Sequence, residues 1–430
     1  MKLLYLKKLS ISKEFLITIL FYIGLFLLPS AFSISAIFLL ISLTLNSLIN
    51  EENFFEDKFN IFFFCGSFLL VISSIMHNFR SNYLSYDPNS SLSWIGLANW
   101  IPFFWCYWGF KPLLNNSEKR KKSSLILLSG TFPVFITGLG QSFFNWDGPF
   151  EIFNGLIVWY QRPLEGITGL TGLFNNPNYA GSWLNVIWPF CIAALLDKTK
   201  YLAKNISIYL FTLGISLSTI LTNSRSAWIG FIIGTLIVFG KKSFRLIKNL
   251  LIIISIIISA TIFPIFGSNI QFFLQNIIPE SIWMEFNDFQ YSRIEIWHKG
   301  CEIVFNNPIF GTGAGSFPEI FKLETGLWKG HAHNLPLELI ISYGIPAGIL
   351  ILIPIFLITF NSINMVFITK GRESSSLYDQ SWIAALVVLF FSQIVDVQYF
   401  DGRISIIFWI LLSGSSNIIK NDEGIEYKKI

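Results

Sequence analysis

Three polar residues stand out against a very apolar background: Arg225, Arg293 and His333. Arg225 lies in Thr222-Asn223-Ser224-Arg225-Ser226, a polar turn between two apolar runs. Its guanidinium stays charged and offers a planar fork of donors matched to phosphate oxygens. Arg293 follows Ser292 in Ser292-Arg293-Ile294-Glu295, a capping-box pattern that starts a helix at Arg293. The unpaired N–H groups and the dipole at such a helix start favour an anion. His333 lies in His331-Ala332-His333-Asn334-Leu335-Pro336, directly before another apolar run. An imidazole near its ordinary pKa takes a proton from a hydroxyl at neutral pH. His331 is a second candidate for that role, and the sequence does not separate the two. Two cations and a titratable imidazole at one membrane face suit a phosphate-bearing lipid and a proton transfer. Each also has an ordinary role to weigh: a topology-setting arginine, an Arg293–Glu295 surface pair, an interfacial histidine.

Weaker candidates surround these three. Asp396 falls near the end of an apolar run, with Tyr399, Asp401 and Arg403 in the turn that follows. A carboxylate there reaches water, pairs with an arginine or orients a sugar. Arg162 and Asn178, in an earlier polar segment, are candidates for substrate contacts of the same sort. Phe310-Gly311-Thr312-Gly313-Ala314-Gly315-Ser316-Phe317 has the look of a phosphate loop. No strand precedes it, so the nucleotide-binding context is missing and a backbone turn lining the site is the better reading.

The elements that must carry these residues are membrane spans. The chain has 430 residues, 53% hydrophobic and only 13% charged, against about 25% charged in a soluble domain. Apolar runs of roughly 20 residues recur along it. Twelve spans are expected at 14–29, 32–49, 60–77, 94–110, 124–143, 179–196, 206–222, 226–240, 249–266, 335–360, 381–397 and 403–417. The fold class that follows is all-α, a polytopic integral membrane bundle formed by residues 1–430 as a single domain. With the N-terminus inside, the inner segments hold 22 of the 30 Lys and Arg, led by Lys119-Arg120-Lys121-Lys122. Both termini then lie in the cytoplasm. Residues 144–178 form a first outer loop, and residues 267–334 form a large, partly helical one that carries most site candidates. Its start, Asn269 to Phe286, suits a helix lying in the interface. Further on, Ile294, Trp297, Cys301, Val304 and Phe305 fall on one helical face. Gly344 and Gly348, four apart within one span, suit close helix packing.

No zinc spacing, Asp-rich metal site, nucleotide motif or nucleic-acid motif is visible, and the four cysteines form neither a disulfide framework nor a metal site. No cofactor or metal is expected. A glycan donor bound on the outer side would have to be lipid-linked, because nucleotide-activated sugars are made inside.

Taken together, several stretches resemble the O-antigen ligase/polymerase superfamily of bacterial envelope proteins. They are residues 170–178, Thr222-Asn223-Ser224-Arg225-Ser226, Ser292-Arg293-Ile294-Glu295-Ile296-Trp297, residues 307–317, and His333-Asn334 with Leu337, Gly344 and Gly348. The resemblance implies a bacterial inner-membrane glycosyltransferase with a large periplasmic loop, acting without metal or nucleotide. The donor would be an undecaprenyl-diphosphate glycan, and the acceptor a hydroxyl on a lipid, a second glycan or a protein. By the same resemblance Arg225 and Arg293 hold the diphosphate and His333 is the base. Asp396 matches an acidic residue near the end of some relatives, while Arg162, Asn178 and His331 are candidates for substrate binding on the residues alone. Membrane lipids are the other partners. Two other classes stay open on the sequence: a bicarbonate or inorganic-carbon transporter, and a non-catalytic scaffold for envelope assembly. Ligase and polymerase are not separated either.

Overall fold

A computed structural model describes residues 2–50, 53–80, 90–164, 169–197, 206–262, 267–269, 272–273, 293–367 and 377–426. Most of the expected interfacial helix at Asn269–Phe286, and the capping residue Ser292, lie outside the described residues.

Long helices dominate. In chain order they are α1 (Lys2–Leu27), α2 (Phe32–Ile49), α3 (Lys58–Arg80), α4 (Ser90–Leu97), α5 (Ile101–Gly109), α6 (Ser117–Gly130), α7 (Phe132–Phe144), α8 (Pro177–Leu196), α9 (Ile206–Leu221), α10 (Arg225–Phe239) and α11 (Phe244–Ile262). After these come α12 (Arg293–Asn306), α13 (Phe317–Thr325), α14 (Leu335–Tyr343), α15 (Ile345–Phe367), α16 (Leu377–Val395) and α17 (Gly402–Glu426). Among the described residues, seven segments are long and apolar enough to cross a bilayer: α2, α3, the continuous pair α6–α7, α8, α15, α16 and α17, while α9 and α10 are shorter apolar helices. The all-α polytopic membrane architecture is as expected.

Two expected spans are broken. The run 94–110 divides into α4 and α5 around a turn at residues 98–100. The run 335–360 divides at Gly344, which takes φ 87° and ψ 167°, a region open essentially to glycine alone. A side chain there would also strike the Ile309 carbonyl oxygen, 2.1 Å from where its Cβ would stand. Gly344 is therefore a helix break, not a packing glycine. Gly348 does serve close packing, since a Cβ would approach Ile340 to 2.5 Å. The outer segment 144–178 also holds a hairpin that the helical reading missed, β1 (Phe150–Ile152) paired antiparallel with β2 (Ile157–Trp159). Asn154-Gly155 in its turn, both at positive φ, was the available signal.

The bundle has two chemically different ends. At one, Arg120 pairs with Asp379 at 2.7 Å, Lys121 with Asp197 at 2.6 Å, and Lys111 with Asp57. These pairs gather the starts of α3, α6 and α16 and the end of α8. The other end gathers the starts of α8, α10 and α17 and the end of α16. Glycines set the approach of α10. A Cβ on Gly181 would come within 2.6 Å of Ala227, and one on Gly230 within 2.3 Å of Asn185 and 2.9 Å of Val388. Helices α8 and α10 thus run parallel in close contact, with α16 against both, a small-residue interface of the kind that lets membrane helices associate. Arg225 and Asp396 consequently belong to the same end.

A second, smaller core of Ile296, Ile303, Val304, Phe317, Ile320, Phe321, Ala332 and Ile341 holds the outer segment together. Gly300 seats α12 on Leu337 and Ile341 of α14. The buried face of α12 is Ile296–Gly300–Ile303–Val304, whereas Ile294, Cys301 and Phe305 are exposed. Of the five residues read onto one apolar face, Val304 is buried and Trp297 half-buried, so apolar periodicity alone does not mark the buried side.

Gly344→Ala should cost roughly 1–3 kcal/mol in backbone strain alone, with the Ile309 clash in addition. Its thermal midpoint in detergent should fall well below that of Gly155→Ala, where φ is 83° but nothing lies within 4 Å. Equal midpoints would show that the break is not enforced at Gly344.

Candidate active site

The central group is the Asp396 carboxylate, 4% exposed, just past the end of α16. Its Oδ1 accepts from His333 Nδ1 at 2.8 Å and from the Val397 N–H at 3.0 Å. Its Oδ2 accepts from Asn178 Nδ2 at 2.9 Å and Gln398 Nε2 at 3.2 Å. Burial alone would raise this carboxyl, but the His333 hydrogen bond, the electrostatic influence of the neighbouring rings and the Val397 N–H outweigh it and hold it below the ordinary carboxylate range. Gln393 secures the turn behind it: Oε1 accepts from the Gln398 and Tyr399 N–H groups, and Nε2 donates to Gln398 Oε1.

The histidine loop is fixed just as tightly. Asn334 caps α14 by accepting from the Leu337 N–H at 2.9 Å, and its amide donates to the Ile394 carbonyl on α16. Ala332 is fully buried in the second core, and its N–H donates to the buried Glu338 carboxylate at 2.8 Å. Trp297 Nε1 donates to the His333 carbonyl at 3.4 Å. These contacts hold His333 at φ 49°, a left-handed backbone that costs a non-glycine residue energy and recurs at functional sites.

The two histidines are thereby distinguished. Asp396 accepts from Nδ1 of His333, so the proton sits there and Nε2 is left with its lone pair, as in a base oriented by a carboxylate. The side chain of His333 is 28% exposed, which leaves that nitrogen reachable. His331 has its Nδ1 occupied as acceptor of the His333 N–H at 3.2 Å. Its Nε2 stands 3.9 Å from Asp396 Oδ1, beyond hydrogen-bond reach. Burial, the neighbouring His333 and the charge of Arg293 push the His331 pKa down to about 4, with Asp396 pulling the other way. His331 is neutral at physiological pH and has no vacant basic nitrogen.

His331, His333 and Asp396 place their potential ligand atoms within 4.8 Å of one another. In the hydrogen-bonded arrangement Nδ1 of each ring and both Asp396 oxygens are engaged by protein donors or acceptors.

The other candidates fall around this centre. Arg293 opens α12 one turn before Trp297 and acts electrostatically on His331. Arg225 opens α10. Its turn is fastened by the Leu170 N–H donating to the Leu221 carbonyl at 2.8 Å and by the packing of Thr222 and Ser224 on Gly181, one helical turn beyond Asn178. Arg162 is exposed, and its backbone N–H is held by Thr171. Asp396 pairs with imidazoles, not with an arginine. The nearby arginine Arg403 is bound by Asp401 at 2.8 and 2.5 Å and stacks 3.8 Å over Phe174. In the glycine-rich run 310–316 the N–H groups of Gly311, Thr312, Gly313 and Ser316 donate to protein carbonyls. Those of Thr312 and Gly313 donate to the Ile341 and Ser342 carbonyls at the end of α14, so the run is a helix cap. Gln393, Gln398 and Glu338 were not anticipated, although Glu338 as a lone carboxylate in an apolar run was a visible anomaly.

Residues 210–352, which hold both arginines, both histidines and the glycine-rich run, match the family described as O-antigen ligase. Over this third of its length the chain is similar to that family. It is also 28% identical over 201 residues to a ComP-specific O-oligosaccharyltransferase of Acinetobacter baylyi. That match covers 45% of this chain and 36% of the relative, so the chain spans about a third of the relative's length. Asn178 and Asp396 lie outside the family match and join its residues only through the fold.

The His331 shift has a consequence for stability. Its folded pKa of about 4 lies below the ordinary 6.5, so the unfolded chain takes up this proton first as pH falls. The stability His331 contributes is therefore full above about pH 6.5 and is lost as pH falls toward about 4. His331→Gln should show a shallower fall in thermal midpoint across that window than the parent protein. Parallel curves would show that His331 is not held neutral.

Proposed function

We propose that this protein is a membrane glycosyltransferase of the ligase type. In this reading it moves a glycan from an undecaprenyl-diphosphate carrier to an acceptor hydroxyl at the outer face of a bacterial inner membrane. The observation that carries the reading is the Asp396–His333 pair, 2.8 Å apart, with Nε2 of His333 left as the accepting nitrogen. Arg293 beside it, Arg225 at the same end and the family match support it. The Lys-rich opposite end, with Lys111, Arg120 and Lys121, would face the cytoplasm, together with both termini.

The mechanism follows from these groups. The acceptor oxygen attacks the anomeric carbon while its proton passes to His333 Nε2. The bond from that carbon to the diphosphate oxygen breaks with inversion. Arg225 and Arg293 stabilise the charge that develops on the leaving diphosphate. Diphosphate is already a good leaving group, so no general acid is needed. Asp396 fixes the tautomer and orientation of His333 and stabilises the imidazolium.

Purified protein in lipid nanodiscs, given an undecaprenyl-diphosphate oligosaccharide and a panel of acceptors, should release undecaprenyl diphosphate and form a larger glycosylated product. His333→Ala should abolish transfer. Asp396→Asn should slow it by roughly 10²–10⁴-fold, and Arg225→Ala or Arg293→Ala should weaken use of the donor. Anion uptake in proteoliposomes without transfer to any acceptor would overturn the reading in favour of a carrier.

A further inference from the structure

A polar cavity is lined by Tyr179, next in the chain to Asn178, and by Phe400 and Asp401 of the turn that follows Asp396, and the mechanism above does not use it. It has a volume of about 460 Å³ and lies between the α1–α2 corner, the β1–β2 hairpin, the start of α8 and the turn into α17. That volume falls within the roughly 300–1,000 Å³ usual for small-ligand sites. The cavity is built, not incidental. Trp159 Nε1 in β2 donates to the Ser30 carbonyl at 2.7 Å and ties the hairpin to the helix corner. Gly402 lets Phe32 approach so closely that a Cβ there would meet its ring at 2.3 Å. The floor is the Asp401–Arg403 fork, with both side chains 10% exposed.

The lining has a particular chemistry. Tyr160 and Phe400 are 48% and 44% exposed. With Tyr179 they offer ring faces, while Asn175, Ser33 and the Asp401–Arg403 pair offer donors and acceptors. Flat aromatic surfaces beside fixed, directional polar groups suit a ligand with apolar C–H faces and a rim of hydroxyls, which is the surface of a pyranose. Position agrees with this. Tyr179 follows Asn178, which bonds Asp396, and Phe400 and Asp401 follow Asp396 in the same turn.

We propose that this cavity is a carbohydrate subsite that holds a sugar unit next to the reacting centre. The proposal rests on the glycosyl-transfer reading but is tested apart from it. Binding of lipid-free hexose, N-acetylhexosamine and uronic-acid oligosaccharides to the nanodisc-embedded protein is followed by saturation-transfer NMR. At least one of these should bind the parent protein. Tyr160→Ala, which removes an exposed ring, should weaken that binding about tenfold, and Ser33→Phe, which fills the cavity, should abolish it. His333→Ala should leave it unchanged. Binding that both cavity variants retain, or no binding by any sugar in the panel, would overturn the subsite. If sugars bind as expected while the parent protein transfers no glycan, the subsite stands and the catalytic reading fails.

Discussion

The end of the bundle opposite the Arg120–Asp379 and Lys121–Asp197 pairs is organised around one buried carboxylate. Asp396 receives hydrogen bonds from the histidine loop, from the start of α8 and from two residues of its own turn. A carboxylate inside a protein is stable as an anion only when such donors replace water. Segments 218 positions apart in sequence are thus held together by the need to satisfy a single charge. Removing any one donor leaves the others to share the desolvation cost, so the site and the local fold stand or fall together.

This dependence explains the investment in surrounding structure. Gln393 and Gln398, both buried, fix the turn that presents Asp396. Asn334 caps α14 and ties that cap to α16, while Glu338 and Ala332 pin the loop from beneath. Helix α14 is only nine residues long because Gly344 stops it. The glycine-rich run closes its far end. The left-handed backbone at His333 is the strained point that these contacts hold in place.

The sequence made the architecture and many of the polar candidates legible, because an apolar chain exposes its exceptions. Arg225, Arg293, His333, His331, Asn178 and Asp396 were all visible as such. Their grouping was not visible, since nothing in the spacing of residues 178, 333 and 396 signals a shared hydrogen-bond network. The choice between the two histidines also needed geometry, because it rests on which ring nitrogens are already occupied. The broken spans were hidden because Gly344 sits in an otherwise continuous apolar run, where hydropathy registers no interruption. Which face of α12 is buried needed the structure, because lipid and protein interior are equally apolar and periodicity alone does not tell one from the other.

The full occupation of Asp396 also limits how a reaction cycle closes. A carboxylate has about four lone-pair positions, and four donors already fill them. Those donors hold it below the ordinary carboxylate range, so it stays ionised and does not take the proton from His333 to pass it on through the protein. In the proposed reaction the imidazolium must discharge outward, to the departing diphosphate or to the water that replaces it. Regeneration of the base and departure of the product then become one event, and a lingering product would keep the histidine charged and the centre idle.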